Sequence, residues 1–171
     1  MIEARNFEQL VRGLPLEAII FFSVLARFEF ALKQAGYLKN IEDGAKAEAD
    51  VDKYAQDLGD GFIQAMNNIQ QKNLLLKKPP LQQFVRAEQI HWGISPQTQE
   101  NVSETIKLFR SIRQTRNNLF HGGKYSSVPD YERDTDLLKA CLSVIEQALL
   151  FSERKEGKLK QVFDCFWRVG G

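Results

Sequence analysis

The sequence predicts an all-α domain, and three observations carry that prediction. Apolar residues recur at helical spacing along nearly the whole chain, no segment alternates convincingly as a strand, and glycine and proline fall at the joints between periodic stretches. The 171 residues are 43% apolar and 26% charged, ordinary globular usage that excludes a disordered, collagenous or coiled-coil chain. A chain of this length buries roughly 70% of its unfolded surface. No repeat or long linker divides it, so residues 1–171 read as a single domain.

Pro15 stands just ahead of the first long helix, Leu16 to Tyr37, which Gly36 is placed to stop. Its run AIIFFSVLA, Ala18 to Ala26, is too short to cross a bilayer, which needs about 20 residues, and its all-round apolar pattern predicts a helix buried on several sides. Between Ile41 and Asp60 the sequence turns acidic and alanine-rich. Val51, Tyr54, Ala55 and Leu58 there share one face of a second, solvated helix. GDG at 59–61 punctuates, and Phe62, Met66 and Ile69 mark a third helix that ends before Pro79 and Pro80. Residues 79–98 hold three of the five prolines and read as an irregular connection with a short helix over Leu81 to Ala87. The next long helix is predicted over Thr98 to His121, ending at a glycine pair. A last major helix runs from Asp130 or Tyr131 to Phe151 on a stripe including Leu138, Cys141, Leu142 and Ile145. The aromatic tail fits a short helix or an extended arm.

The formal charge is only +1, so no global pull toward nucleic acid or membrane exists and any basic site must be local. Cys141 and Cys165 show no disulfide framework, and the opening MIEARNF has no signal-peptide pattern, which together predict a reducing, cytoplasmic setting. Two histidines, two cysteines and no carboxylates at ligand spacing predict neither a metal centre nor a cofactor. The phosphate-binding GxxxxGK[ST] loop, GxGxxG, GxSxG and HExxH patterns are all missing.

The informative stretch is NVSETIKLFRSIRQTRNNLFHGGKY. At about 100° per residue, Val102, Ile106, Phe109, Ile112, Leu119 and Phe120 share one apolar arc, and Arg116 falls near its middle. A guanidinium on a packed face must be paired, snorkel, or open into a cleft or interface. Asn117 and His121 are i, i+4 neighbours on another edge. On an ideal helix Arg116 and His121 stand about 140° apart, so either the helix loosens before Gly122 or a second copy completes the site. Arginine grips phosphate through two parallel hydrogen bonds and histidine titrates near neutrality, a pairing suited to metal-free phosphodiester cleavage by a ribose 2′-hydroxyl.

Arg116-Asn117-Asn118-Leu119-Phe120-His121-Gly122 resembles the R-polar-x-x-x-H motif of the HEPN superfamily (higher eukaryotes and prokaryotes nucleotide-binding). The similarity extends loosely over ARFEFALKQAGYLK and AEADVDKYA to a subgroup of small stand-alone prokaryotic proteins. The resemblance implies an up-and-down four-helix core with additional short helices and a homodimer whose two motifs share a cleft. Arg116, Asn117 and His121 would be the catalytic set of a metal-independent endoribonuclease with a toxin- or defence-like role. RNA is then the substrate, and an antitoxin protein a further partner. Where the nucleotidyltransferase-paired toxins carry a tyrosine two residues after the histidine, this chain has Gly123. The alternative is a non-catalytic HEPN nucleotide- or partner-binding domain, and a purely structural helical module comes third.

Around the motif, Glu29 shares a face of the first helix with Phe22, Leu25 and Leu32 and needs a cation, either Arg116 or Arg113 in the site or its local neighbour Lys33. Arg110 and Lys124 add charge suited to RNA phosphates, or form a solvated face with Lys107. His91 reads as a loop or partly buried histidine rather than a catalytic one.

Overall fold

The structure, a computed structural model, describes residues 15–66, 69–96, 101–120 and 131–168. Among these, six helices and one two-stranded hairpin form a mainly helical bundle. No described helix is long and apolar enough to cross a membrane.

Helix α1 (Leu16–Gln34) begins after extended Pro15 and ends where Gly36 takes a φ of +79°, letting the Tyr37 amide reach back to the Leu32 carbonyl. Its core face is Ala18, Phe21, Leu25, Phe28, Ala31 and Leu32. Burial on several sides does not occur. Leu16, Ile19, Ile20, Phe22 and Phe30 are all exposed, because the neighbouring helices cover only one side of α1.

The helix expected from Ile41 starts ten residues later. Asn40 caps a turn by accepting from the Glu42 amide, and Leu38 and Ala49 form an isolated antiparallel bridge, so the acidic stretch is a closed loop. Asp50 then accepts from the Lys53 amide and opens α2 (Val51–Ala65). Gly59 inside α2 has φ +63° and ψ −166°, a kink in place of the expected break, and Thr105 donates its hydroxyl to the carbonyl released there. Phe62 therefore continues α2 and Met66 is its C-cap, and α3 is only Gln70–Lys77.

The irregular connection expected at 79–98, with its short helix, is instead a β-hairpin: β1 (Leu81–Arg86) pairs antiparallel with β2 (Gln89–Ile94) in the register Leu81 to Ile94 and Phe84 to His91. Ala87 and Glu88 both adopt positive φ, 49° and 61°, the left-handed pair that a two-residue hairpin turn demands. Helix α4 (Glu104–Phe120) starts six residues after Thr98, where Ser103 accepts the Ile106 amide, and α5 spans Tyr131–Glu153. The tail is the short helix α6 (Gly157–Trp167). Arg27 of α1 donates to the carbonyls of Phe166 and Arg168 at the last turn of α6, fastening the first described helix to the last.

At the centre, Phe109 of α4 meets Phe28, Tyr54 and Phe62 at ring-centroid distances of 6.0, 5.5 and 6.4 Å. The Tyr54 hydroxyl is satisfied inside by Ser152 at 2.9 Å. Burial pushes the Cys141 thiol from 9.0 up to about 12 and raises the Tyr54 and Tyr37 phenols, the latter further through Asp57. All three are acids whose proton is held harder in the folded state. Their contribution to stability is complete below their ordinary values and is lost as pH climbs through them. The melting temperature is expected to hold up to about pH 9 and to fall steeply between about 9 and 12, followed by circular dichroism. A flat profile across that window would contradict the burial.

Candidate functional site

Helix α4 presents two flanks at its C-terminal end. Leu108, Phe109, Ile112 and Thr115 are buried, and Ser111 donates to the Leu75 carbonyl of α3 at 3.2 Å, which fixes how α4 is rotated. That rotation sets Arg116 at the edge of the buried arc, half-buried and facing α1. Its Nη2 lies 3.9 Å from Glu29 Oε1, and its Nη1 donates to Asn117 Oδ1 at 3.2 Å. The expected partnership of Glu29 with the motif arginine is thus the geometry found.

Magnitudes indicate what this pair does. Both side chains are more than a third exposed, and 3.9 Å is an ion-pair distance, too long for a hydrogen bond. Such a contact contributes about 1 kcal/mol or less. Two parallel, charge-assisted bonds from a guanidinium to a phosphate are stronger, so Glu29 orients Arg116 without outcompeting an oxyanion.

Arg110 behaves differently. Its Nε and Nη2 reach Asp52 Oδ2 at 3.1 and 2.9 Å, with the arginine side chain only 15% exposed. That bond ties α4 to the first turn of α2, which accounts for Arg110 without invoking RNA. Arg113 is half-buried three residues before Arg116. His121 and Lys124 lie outside the described residues. His91 sits exposed on β2, in a strand where a loop was expected.

The other flank of α4 carries a residue that sequence reasoning passed over. Asn118 donates Nδ2 to the Leu81 carbonyl at 2.7 Å while its Oδ1 accepts from Gln114, pinning the root of the hairpin to the motif helix. The doubled asparagine in the motif was the signal: two adjacent amides on a helix point about 100° apart, and each needs its own partner.

The exposed apolar surface lies on α1, beside the motif. At about 100° per residue, Ile19, Ala26 and Phe30 form one stripe, and Phe22 joins it to Glu29 at the edge that faces Arg116. Five large apolar side chains on one helix exceed the scatter of single exposed residues found on ordinary surfaces. Among the described residues no three His, Cys, Asp or Glu side chains gather to hold a metal ion. No family model matches the chain, and no curated protein or solved structure matches it either.

Proposed function

We propose that this chain is a HEPN-like, metal-independent endoribonuclease working as a cytoplasmic homodimer in a toxin- or defence-like role. The observation that carries the reading is the Arg116–Asn117 pair at the end of α4, oriented by Glu29 of α1 beside a partly exposed apolar stripe. A second copy laid on that stripe brings a second motif toward the first and buries Ile19, Phe22 and Phe30.

In-line attack by a 2′-hydroxyl needs a base for its proton, an acid for the departing 5′-oxygen, and donors for the charge on phosphorus. One histidine cannot fill both proton roles in one step. Neutral His121 of one protomer takes the 2′-proton and protonated His121 of the other supplies the leaving oxygen. The two Arg116 forks hold the phosphate, and Asn117 orients substrate or imidazole.

Incubation with single-stranded RNA in EDTA is expected to yield 2′,3′-cyclic phosphate and 5′-hydroxyl ends. His121→Ala should lose about 10²–10⁴-fold in rate, and a 2′-deoxy nucleotide at the cut should abolish cleavage. Ile19→Asp with Phe22→Asp should give a monomer by light scattering that no longer cuts. Cleavage of the deoxy substrate, or activity lost in EDTA and restored by magnesium, overturns the mechanism. RNA bound but uncut by wild type at every pH supports the non-catalytic binding domain instead.

A further inference from the structure

The hairpin carries two faces of different character. Alternation puts Leu81, Gln83 and Val85 on one face with their cross-strand partners Ile94, Trp92 and Ile90. Val85, Ile90 and Ile94 are 80%, 65% and 50% exposed. The outer part of this face, Val85, Ile90 and Ile94, is displayed to solvent, while Leu81 and Trp92 beside it are half-buried and keep part of their surface open. On the opposite face Phe84 lies flat over Gly93, where an added Cβ would come within 3.3 Å of the ring, so the ribbon is stiffened from behind.

At the root of this face Leu81 and Ile94 also line a cleft of about 530 Å³, completed by Lys77 and Lys78 at the end of α3 and by Arg133 and Asp136 in the opening turns of α5. Three cations meet one acid there, in a chain whose net charge is only +1. Neither Lys77 nor Lys78 has a carboxylate within ion-pair range among the described residues, so both charges face the cleft unneutralised. Asn118 ties this root to α4 two residues beyond Arg116, on the opposite flank and about a helix diameter, ~10 Å, away.

We infer that the cleft and the outer hairpin face together form a single-stranded RNA track: Lys77, Lys78 and Arg133 hold backbone phosphates, and unstacked bases lie on Trp92 and its apolar neighbours. Exposed lysines at the mouth of a cleft, continuous with an apolar ribbon that carries Trp92, match the alternating charge and π-face of a single strand. A duplex keeps its bases stacked and offers nothing to Trp92, and an anionic membrane presents no π-faces to lie against it. The choice of ribose over deoxyribose rests on the nuclease reading; the phosphate and base contacts stand without it.

The test uses the full chain and a fluorescein-labelled, fully 2′-O-methyl single-stranded RNA, which cannot be cut. Lys77→Gln with Lys78→Gln should weaken binding at least about tenfold at low salt, and should flatten the slope of log K against log salt by about 1.4, from about 0.7 per phosphate contact. In a Trp167→Phe protein Trp92 is the sole tryptophan, and its emission should be quenched on saturation. Ile90→Gln, at an exposed site that leaves the fold alone, should weaken binding severalfold with unchanged melting. An unaltered salt slope together with unquenched Trp92 overturns the inference. So does equal affinity for duplex RNA, or binding to phosphatidylserine vesicles with none to RNA. Cleavage by the double lysine variant with undiminished RNA affinity sinks this inference alone. Intact track binding by a wild-type protein that never cuts sinks the nuclease reading alone.

Discussion

Arg116→Lys is expected to slow RNA cleavage by about 10²–10³-fold, although the charge is kept. The loss follows from geometry: an ammonium cannot reproduce the planar fork that places two donors on adjacent phosphate oxygens, and removing one aligned donor from an oxyanion site costs about that factor. Stability should barely change, because the contact to Glu29 is 3.9 Å long and more than a third exposed. Glu29→Gln should reduce the rate only severalfold, since that carboxylate acts through the arginine. On the proposed mechanism the pH–rate profile is expected to keep its shape in the lysine variant, because the substitution leaves the proposed proton carriers, the two His121 side chains, in place. Full activity in Arg116→Lys would remove the guanidinium from phosphate binding, and a collapse in melting temperature would recast it as a structural residue.

Phe109→Ala should have the largest effect on stability, about 3–5 kcal/mol by urea denaturation at 25 °C. Its ring is 1% exposed and touches aromatic residues from α1 and α2, so its loss opens a void that several helices must close together. That is a large part of the ~5–15 kcal/mol that holds a domain folded. Phe30→Ala is the matched control. Phe30 is half exposed, and the protomer should lose no more than about 0.5 kcal/mol. A small effect at Phe109 would mean that the ring cluster can repack.

The helical fold was legible because its strongest signals are local. The stripe of α5, the stop at Gly36 and the periodicity of α4 each need only a few neighbouring residues. The hairpin was not, and its turn explains why. A two-residue hairpin usually announces itself with Asn-Gly or a similar pair, whereas Ala87 and Glu88 are ordinary helix formers driven to positive φ by the strands around them. Helix starts were misjudged for a related reason: Asp50 and Ser103 set the boundaries by capping, and polar residues upstream fitted the helical pattern equally well. Of the candidate site, the sequence shows that Glu29 needs a cation but leaves Arg116, Arg113 and Lys33 open, and the packing of α1 on α4 is what brings Arg116 within 3.9 Å of it. The anchoring of Arg110 to Asp52 depends on residues 58 positions apart, and no local rule reveals it.

The clasp between Arg27 and the end of α6 has a consequence for synthesis. A chain leaving the ribosome delivers α1 well before α6, because Arg27 and its Phe166 acceptor are 139 positions apart. Until α6 emerges, the face of α1 that it covers is open together with the stripe on the outer side, so the nascent chain carries two adjoining apolar surfaces up to that point. Closing α6 over α1 separates them and leaves only the outer stripe exposed. Emergence of α6 therefore sets when α1 is left with a single exposed apolar face; before it, both faces are open to non-native contact.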